Sequence, residues 1–457
     1  MEELNYLEAN KNQHLEEMIE CLKMETVSAD PGKEEEIRRC GDWFVEKLKK
    51  IGFENAKLND TGGLPAVYAD WLHAGEDKPT ILFYGHYDVQ PAEPLDLWKT
   101  PPFEPVVRDG RIYGRGTADD KGQVMLHIFA LEAILKTQGR LPINVKIFLE
   151  SEEEGGKGGT VNFVNDNRKL LACDVVMLSD TSWITEDIPS VMYGLRGIAY
   201  FEVNVKGPNR DLHSGRFGGL VFNPLSAMSQ IVARLHDENG RIAIPGFYDD
   251  VLELEEAERK EFAKLGNNED ELKKYLDVKV LGGEKGFTTY ERVWGRPTLD
   301  LNGIWGGYTK EGGKTIIPSE GNFKVSMRLV PNQTVEKVCK LFESYIKKIC
   351  PLGVTAEVKY LHGGGPVLVP PGNPYLLLAK KAMEQAFNKS ALLIREGASV
   401  PIASTFKDAL KAEPIMMGFD VPTGNIHAPN ENLILENFYK GMKAAMYFYK
   451  GAAIVTR

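Results

Sequence analysis

A histidine and an aspartate stand two residues apart in Tyr84-Gly85-His86-Tyr87-Asp88-Val89-Gln90-Pro91. A carboxylate beside an imidazole can fix its tautomer and raise its basicity, an arrangement that commonly backs a metal-ligating histidine. Four further segments carry donors of the same kind. They are Asp119-Asp120 within Gly114–Gly122, Glu152-Glu153-Glu154 within Glu150–Gly156, Asp180 within Ser179-Asp180-Thr181, and His427 within Asn425–Glu431. Brought together, so many carboxylates would repel one another and raise one another's pKa unless cations neutralised them. Two divalent metals sharing one bridging carboxylate would answer that problem. Zinc is the first choice for mixed imidazole and carboxylate ligands, with manganese or cobalt also suited to an oxygen-rich set.

Each segment follows a stretch that reads as a strand. The apolar run Ile81-Leu82-Phe83-Tyr84 precedes His86, Arg111-Ile112-Tyr113 precedes Asp119, and Asn144–Leu149 precedes the glutamates. Val175–Leu178 precedes Asp180, and Pro414–Phe419 precedes His427. Ligands of open α/β sheets gather at the carboxyl ends of strands, so joint placement after successive strands argues for one site. Taken singly, each residue has a plain structural role open to it: core histidine, helix cap, acidic loop, strand-end cap or surface histidine. Helical patterns at 33–50, 123–137 and 160–167 alternate with these strands and predict an α/β domain with a largely parallel sheet.

The texture changes near residue 197. Ile198–Val205 and Gly321–Leu329 alternate apolar and polar residues, Asn223–Asn239 and Thr334–Ile349 read as helices, and Val354–Tyr360 as another strand. Tyr248–Val278 is charged and reads as a solvated helical face. This predicts an inserted α+β domain over 197–370, between catalytic-domain parts 1–196 and 371–457. A chain of 457 residues exceeds one ordinary core, in keeping with two domains.

Hydrophobic content of 43% and charged content of 26% describe a globular chain. The net charge of −10 argues against a nucleic-acid partner. No apolar run approaches the ~20 residues of a membrane span. The acidic start Met1-Glu2-Glu3-Leu4-Asn5 lacks the pattern of a secretory signal. The five cysteines are scattered, odd in number and without CxxC spacing, so a reducing cytoplasm is expected and any metal must be held by nitrogen and oxygen.

Together these segments resemble the dinuclear zinc metallopeptidases: carnosine dipeptidases, glutamate carboxypeptidases, aminoacylases and acetylornithine or succinyl-diaminopimelate deacylases. The carnosinase-like branch is the nearest match, through His86–Pro91, Asp211-Leu212-His213-Ser214-Gly215, and Ile317-Pro318 followed by Arg328-Leu329-Val330-Pro331-Asn332. The resemblance implies a zinc-peptidase-like α/β catalytic domain with an inserted ferredoxin-like lid that forms a homodimer. It implies that His86 and Asp180 bind one metal, Glu154 and His427 the other, and that Asp119 bridges them. Asp88 would orient His86, and a cis peptide is expected at Asp119–Asp120. The family spacing fits two registers of the glutamate run. Glu150, three residues before Glu153, favours Glu153 as general base and Glu154 as ligand over Glu152 and Glu153 in those roles.

By the same resemblance, a metal-bridging hydroxide attacks the amide of a small peptide substrate. His213 of a partner subunit serves the oxyanion, and Arg328 clamps the substrate carboxylate. Thr315, His362 and Ser399 match substrate-contacting positions. The activity implied is hydrolysis of dipeptides or of a C-terminal residue. An N-acyl amino-acid deacylase is the alternative within the family, and a catalytically inactive binding homologue a third reading.

Overall fold

The computed structural model describes residues 1–156, 158–266 and 269–455. The chain divides into two compact units, one of residues 1–193, 369–394 and 405–457, the other of 194–368 and 395–404. The segment 395–404, which the sequence reading leaves with the catalytic part, groups with the second unit.

The larger unit is built on a twisted mixed sheet. Seven of the sheet's strands run in the order Glu54–Asn59, Ala66–Trp71, Asn144–Glu150, Thr80–His86, Val175–Leu178, Glu413–Met416, Ser190–Leu195. The four central strands pair in parallel, and the outer pairings are antiparallel. Central strands of near-continuous apolar sequence, such as Ile81-Leu82-Phe83-Tyr84, are buried on both faces, as parallel sheets covered by helices require. The covering helix Lys121–Gln138 is itself buried around its whole circumference from Lys121 to Leu135, and Leu435–Ala452 packs against it. The four parallel strands end on the same edge of the sheet, and it is there that the chemistry-bearing loops emerge.

Two sequence expectations are revised. Arg111–Tyr113 is a strand, but it belongs to a small three-stranded sheet with Val106–Arg108 and Asn432–Ile434. Asp119 therefore reaches the site at the start of the Lys121–Gln138 helix and not from a central strand end. The charged run Tyr248–Val278 forms two short helices, Glu256–Lys264 and Glu269–Tyr275, with Asn267 and Asn268 outside the described residues.

The second unit has the order strand Gly197–Lys206, helix Pro224–Ala233, strands Thr298–Gly306 and Glu320–Leu329, helix Val335–Ile349, strand Thr355–Gly364. Numbered along the chain, its antiparallel strands lie in the order 2-3-1-4, the ferredoxin-like split βαβ arrangement. Alternation decides which face is covered. Phe201, Val203, Phe323, Val325 and Met327 point inward against Met228, Ile231, Val338, Phe342 and Ile346 of the two helices. The last three recur every four residues along one helix face, whose start is capped by Thr334. Among the described residues no helix is long and apolar enough to cross a membrane.

Candidate metal centre

His86 ends the Thr80–His86 strand, fully buried. Its Nδ1 lies 3.1 Å from the main-chain carbonyl of Asp88 and 3.4 Å from the Asp88 carboxylate. Donation by Nδ1–H to these oxygens turns Nε2 toward the site, 2.9 Å from Asp119 Oδ1 and 3.8 Å from Asp180 Oδ2. The main-chain carbonyl is the nearer partner. The Asp88 carboxylate has a second role that the sequence does not reveal, accepting from the backbone N–H of Glu154 at 3.0 Å.

Asp119 is shared. Its other oxygen, Oδ2, lies 2.9 Å from His427 Nε2, and that nitrogen lies 2.9 Å from Glu154 Oε1. Two groups of three result, His86–Asp119–Asp180 and Asp119–Glu154–His427, each with donor atoms within 4.8 Å of one another. The Asp119–Asp120 peptide is cis. Glu154 Oε2 also accepts from Gln90 Nε2 at 2.6 Å. His427 is half-exposed, so this side of the cluster opens outward. It sits in the left-handed region at φ 58°, within a loop where Asn425 and Asn430 do the same. A histidine is strained there, unlike a glycine. Asn432 holds the loop by donating to the carbonyls of Thr423, Gly424 and Asn430.

The three successive glutamates part company. Glu152 is buried and turns away, accepting from Leu64 N at 3.0 Å and Thr160 N at 2.5 Å. Gly63 is required beside it, because a Cβ there would lie 2.2 Å from Glu152 Oε2. Glu154 meets His427, and Glu153 lies between them in the turn that follows the Asn144–Glu150 strand.

Charge crowding is the dominant electrostatic fact. Burial, with added repulsion from Asp180, Glu150 and Glu154, pushes the Glu153 carboxyl well above the usual range against the pull of His86. Burial and Asp119 push Asp180 up to about 7. Burial also lifts Glu150, bonded to Tyr84 Oη, to about 7. Burial opposes the charge of His86, but its bonds to Asp119 and Asp88 prevail and raise it. His427, bonded to Asp119 and Glu154, is pushed up to about 10. Burial would raise Asp119, yet His427 and His86 hold it well below the ordinary value. The cluster thus behaves as a set of anionic donors lacking positive charge, which two cations bridged by Asp119 would supply. The nitrogen and oxygen donors present fit divalent ions of the zinc, manganese and cobalt kind.

One grip on the site escaped sequence reasoning. Glu431 is fully buried and accepts from the backbone N–H groups of Gly116, Ala118 and Asp119, and from Arg115 Nη1 at 2.8 Å. It holds the loop that presents Asp119. Its only signal in sequence was an acidic residue four positions after His427.

In the second unit, Arg328 lies on the face of the sheet away from the helices and donates to Ser399 Oγ at 2.8 Å. His362 lies on the same face, across the central strand, with its ring 5.2 Å from that of Tyr200. Buried Arg196 donates to Gly397 O at 2.9 Å, and burial, followed by the charge of Arg328, pushes it down to about 10. Among the described residues neither guanidinium forms a close ion pair, although the charge of Asp300 acts on both and that of Glu396 on Arg196. His213 and Thr315 are elsewhere. His213 is exposed and caps the Ser214–Phe217 turn, its Nδ1 accepting from Gly215 N at 3.0 Å. The Thr315 carbonyl accepts from Ser214 N beside it. The pair sits beyond the Glu320 end of the Glu320–Leu329 strand. At about 3.3 Å per residue, that is roughly 26 Å along the strand from Arg328.

Residues 82–450 match the Peptidase family M20/M25/M40. A Cys-Gly metallodipeptidase of Schizosaccharomyces pombe is 32% identical over 96% of this chain and 95% of its own length. A human Beta-Ala-His dipeptidase is 29% identical over 97% of this chain and 91% of its own. Among solved structures, the M20 family metallo-carboxypeptidase Sso-CP2 of Sulfolobus solfataricus superposes with a TM-score of 0.85 at 32% identity, covering 97% of this chain and 99% of that one. Likeness that runs through both units, and not through the donor-bearing loops alone, makes this chain a member of the peptidase family M20/M25/M40.

Proposed function

We propose that the chain is a metal-dependent dipeptidase, hydrolysing the amide bond of small peptides that end in a free carboxylate. The observation that carries this is the pair of three-donor groups sharing Asp119, with the high-pKa carboxyl of Glu153 alongside. Relatives that act as dipeptidases support the substrate class.

Divalent cations held by His86, Asp119 and Asp180, and by Asp119, Glu154 and His427, would acidify water and polarise the scissile carbonyl. Zinc is the metal proposed, for its affinity for imidazole with carboxylate. Glu153 takes the proton of the attacking water and passes it to the leaving nitrogen, a task suited to a carboxyl with a raised pKa. Asp88 aims His86 and, through Glu154 N, couples the two halves of the donor set. Arg328 binds the substrate carboxylate with its planar fork, assisted by Ser399 and His362. His213 and Thr315 serve the oxyanion and substrate from a second copy of the chain. Their placement about 26 Å of strand away from Arg328 supports that assignment. The edge strand Thr298–Gly306 supports a homodimer through the second unit, since Leu301, Ile304 and Trp305 are exposed along it. The second unit then serves as lid as well as dimerisation domain, inserted between the two parts of the catalytic domain. All five cysteines are free, which supports a cytoplasmic setting.

The test is a substrate panel with the metal varied. Metal-stripped protein is reloaded with zinc, manganese or cobalt and offered dipeptides, N-acetyl amino acids and N-succinyl amino acids. Dipeptide turnover that is lost on chelation and regained on reloading is expected. Turnover confined to the acylated amino acids would replace this reading with a deacylase, and no turnover with any metal would favour a binding homologue.

A further inference from the structure

His127 sits two turns into the Lys121–Gln138 helix, completely buried and outside both three-donor groups. Its hydrogen bonds have only one consistent direction. Ser179 Oγ lies 2.6 Å from the carbonyl of Met417, which has no hydrogen to give, so the serine hydroxyl donates there. The same oxygen, 2.5 Å from His127 Nε2, must then accept from an Nε2–H. Nδ1 is left with its lone pair and accepts from Tyr449 O–H at 2.9 Å. Burial pushes the imidazole down to about 3, so it remains neutral with a single N–H. A chain Tyr449 to His127 to Ser179 to Met417 follows, with each member donating to the next.

Three of its members sit on or beside elements that lead to proposed ligands, those of Asp119, Asp180 and His427. Ser179 directly precedes Asp180. Met417 directly follows the Glu413–Met416 strand that leads to the His427 loop, and its N–H donates to Leu178 O at 2.9 Å. The helix carrying His127 begins one residue after the Asp119–Asp120 pair. The ring stacks on Phe83, three residues before His86, at 4.4 Å. One turn earlier on the same helix face, Gln123 donates to Ala118 O at 2.8 Å and accepts from Phe419 N at 2.7 Å.

We propose that His127 is a positioning residue of the metal centre: its Nε2–H, through Ser179, sets the spacing between the strand ends that present Asp180 and the His427 loop. This rests on the metal-centre reading above. The plain alternative is a core histidine satisfied by two hydroxyls, which an apolar ring could replace without consequence for the donors.

The two differ in what they ask of the N–H. His127→Phe keeps a ring on Phe83 and removes the donor. His127→Gln places an amide N–H near the Nε2 position. Ser179→Ala removes the next link with little change in volume. Metal-free proteins are titrated with cobalt(II), followed by visible absorption and calorimetry, and their thermal unfolding is recorded without metal. His127→Phe and Ser179→Ala are expected to weaken cobalt binding about 10–100-fold and alter the visible band. His127→Gln should recover most of the affinity. The double variant should lose no more than either single one, as for two links of one chain. If His127→Phe is too unstable to titrate, Ser179→Ala decides alone. Wild-type affinity in either donor-removing variant, or no recovery in His127→Gln, overturns the proposal. Wild-type protein that takes up no cobalt overturns the metal-centre reading instead.

Discussion

Glu152, Glu153 and Glu154 are chemically identical and adjacent, yet substitution should separate them. Glu153→Gln keeps the shape and removes the proton carrier, so kcat should fall roughly 10²–10⁴-fold with metal content unchanged. Glu152→Gln weakens acceptance from Leu64 N and Thr160 N, and should cost about 1–3 kcal/mol in denaturant unfolding with little change in kcat. Steady-state rates, bound metal and urea curves on both variants check the pair. Reversed effects would mean that the register is off by one. Asp88→Asn is expected to lose about 10–100-fold in metal affinity or rate. Its main-chain carbonyl still accepts from His86, so orientation of the ring survives in part. An unchanged rate and affinity would reduce Asp88 to a neighbour. The donors were legible because imidazoles and carboxylates after successive strands have few structural uses in common. The direction in which Glu152 turns was not, because it depends on Leu64, Gly63 and Thr160, which are remote in sequence or local only after folding.

At the scale of elements, the centre depends on loops held rigid by groups that do no chemistry. Glu431 reaches back across the fold to satisfy three backbone N–H groups and Arg115, all of them buried. Glu431→Gln leaves the Arg115 guanidinium without its counter-charge, and a broken buried pair costs about 3–5 kcal/mol. A loss of that order in unfolding free energy is expected, with weakened metal binding because Asp119 shares the loop. A stability change below about 1 kcal/mol would show that the pair is solvated in practice. Sequence periodicity found the central strands, whose apolar runs are long and unbroken. It passed over Thr298–Gly306, where Asn302-Gly303 interrupts the alternation and the pairing register shifts between Leu301 and Gly303. It reads all of Tyr248–Val278 as helical, because charge patterning shows helical preference and not where a helix stops. It found Arg111–Tyr113 as a strand but not the sheet it joins, since a three-residue strand carries no mark of its partner.

At the scale of the whole molecule, the question is whether one copy of the chain is a complete catalyst. Arg328 and Ser399 meet at one end of the second unit's sheet, while His213 and Thr315 sit beyond the other. No side chain spans roughly 26 Å, so a group that must touch the substrate next to Arg328 cannot be His213 of the same unit as it is folded here. The proposed symmetric dimer would resolve this, because an isologous interface would offer each site the other copy's far end. The exposed apolar residues on the edge strand give such an interface a place to form. The consequence is sharply testable. Glu153→Ala and His213→Ala proteins should each be nearly inactive. Unfolded together and refolded as a mixture, half of the dimers are mixed. Each mixed dimer then holds one site with neither defect and one with both. About a quarter of wild-type activity per site should return, the figure expected when a single intact site in half the dimers carries all the turnover. Exchange of subunits is confirmed separately by mass measurement on a tagged copy. Mixed dimers without recovered activity would place His213 outside catalysis in trans, whereas an active His213→Ala protein would remove it from the mechanism altogether.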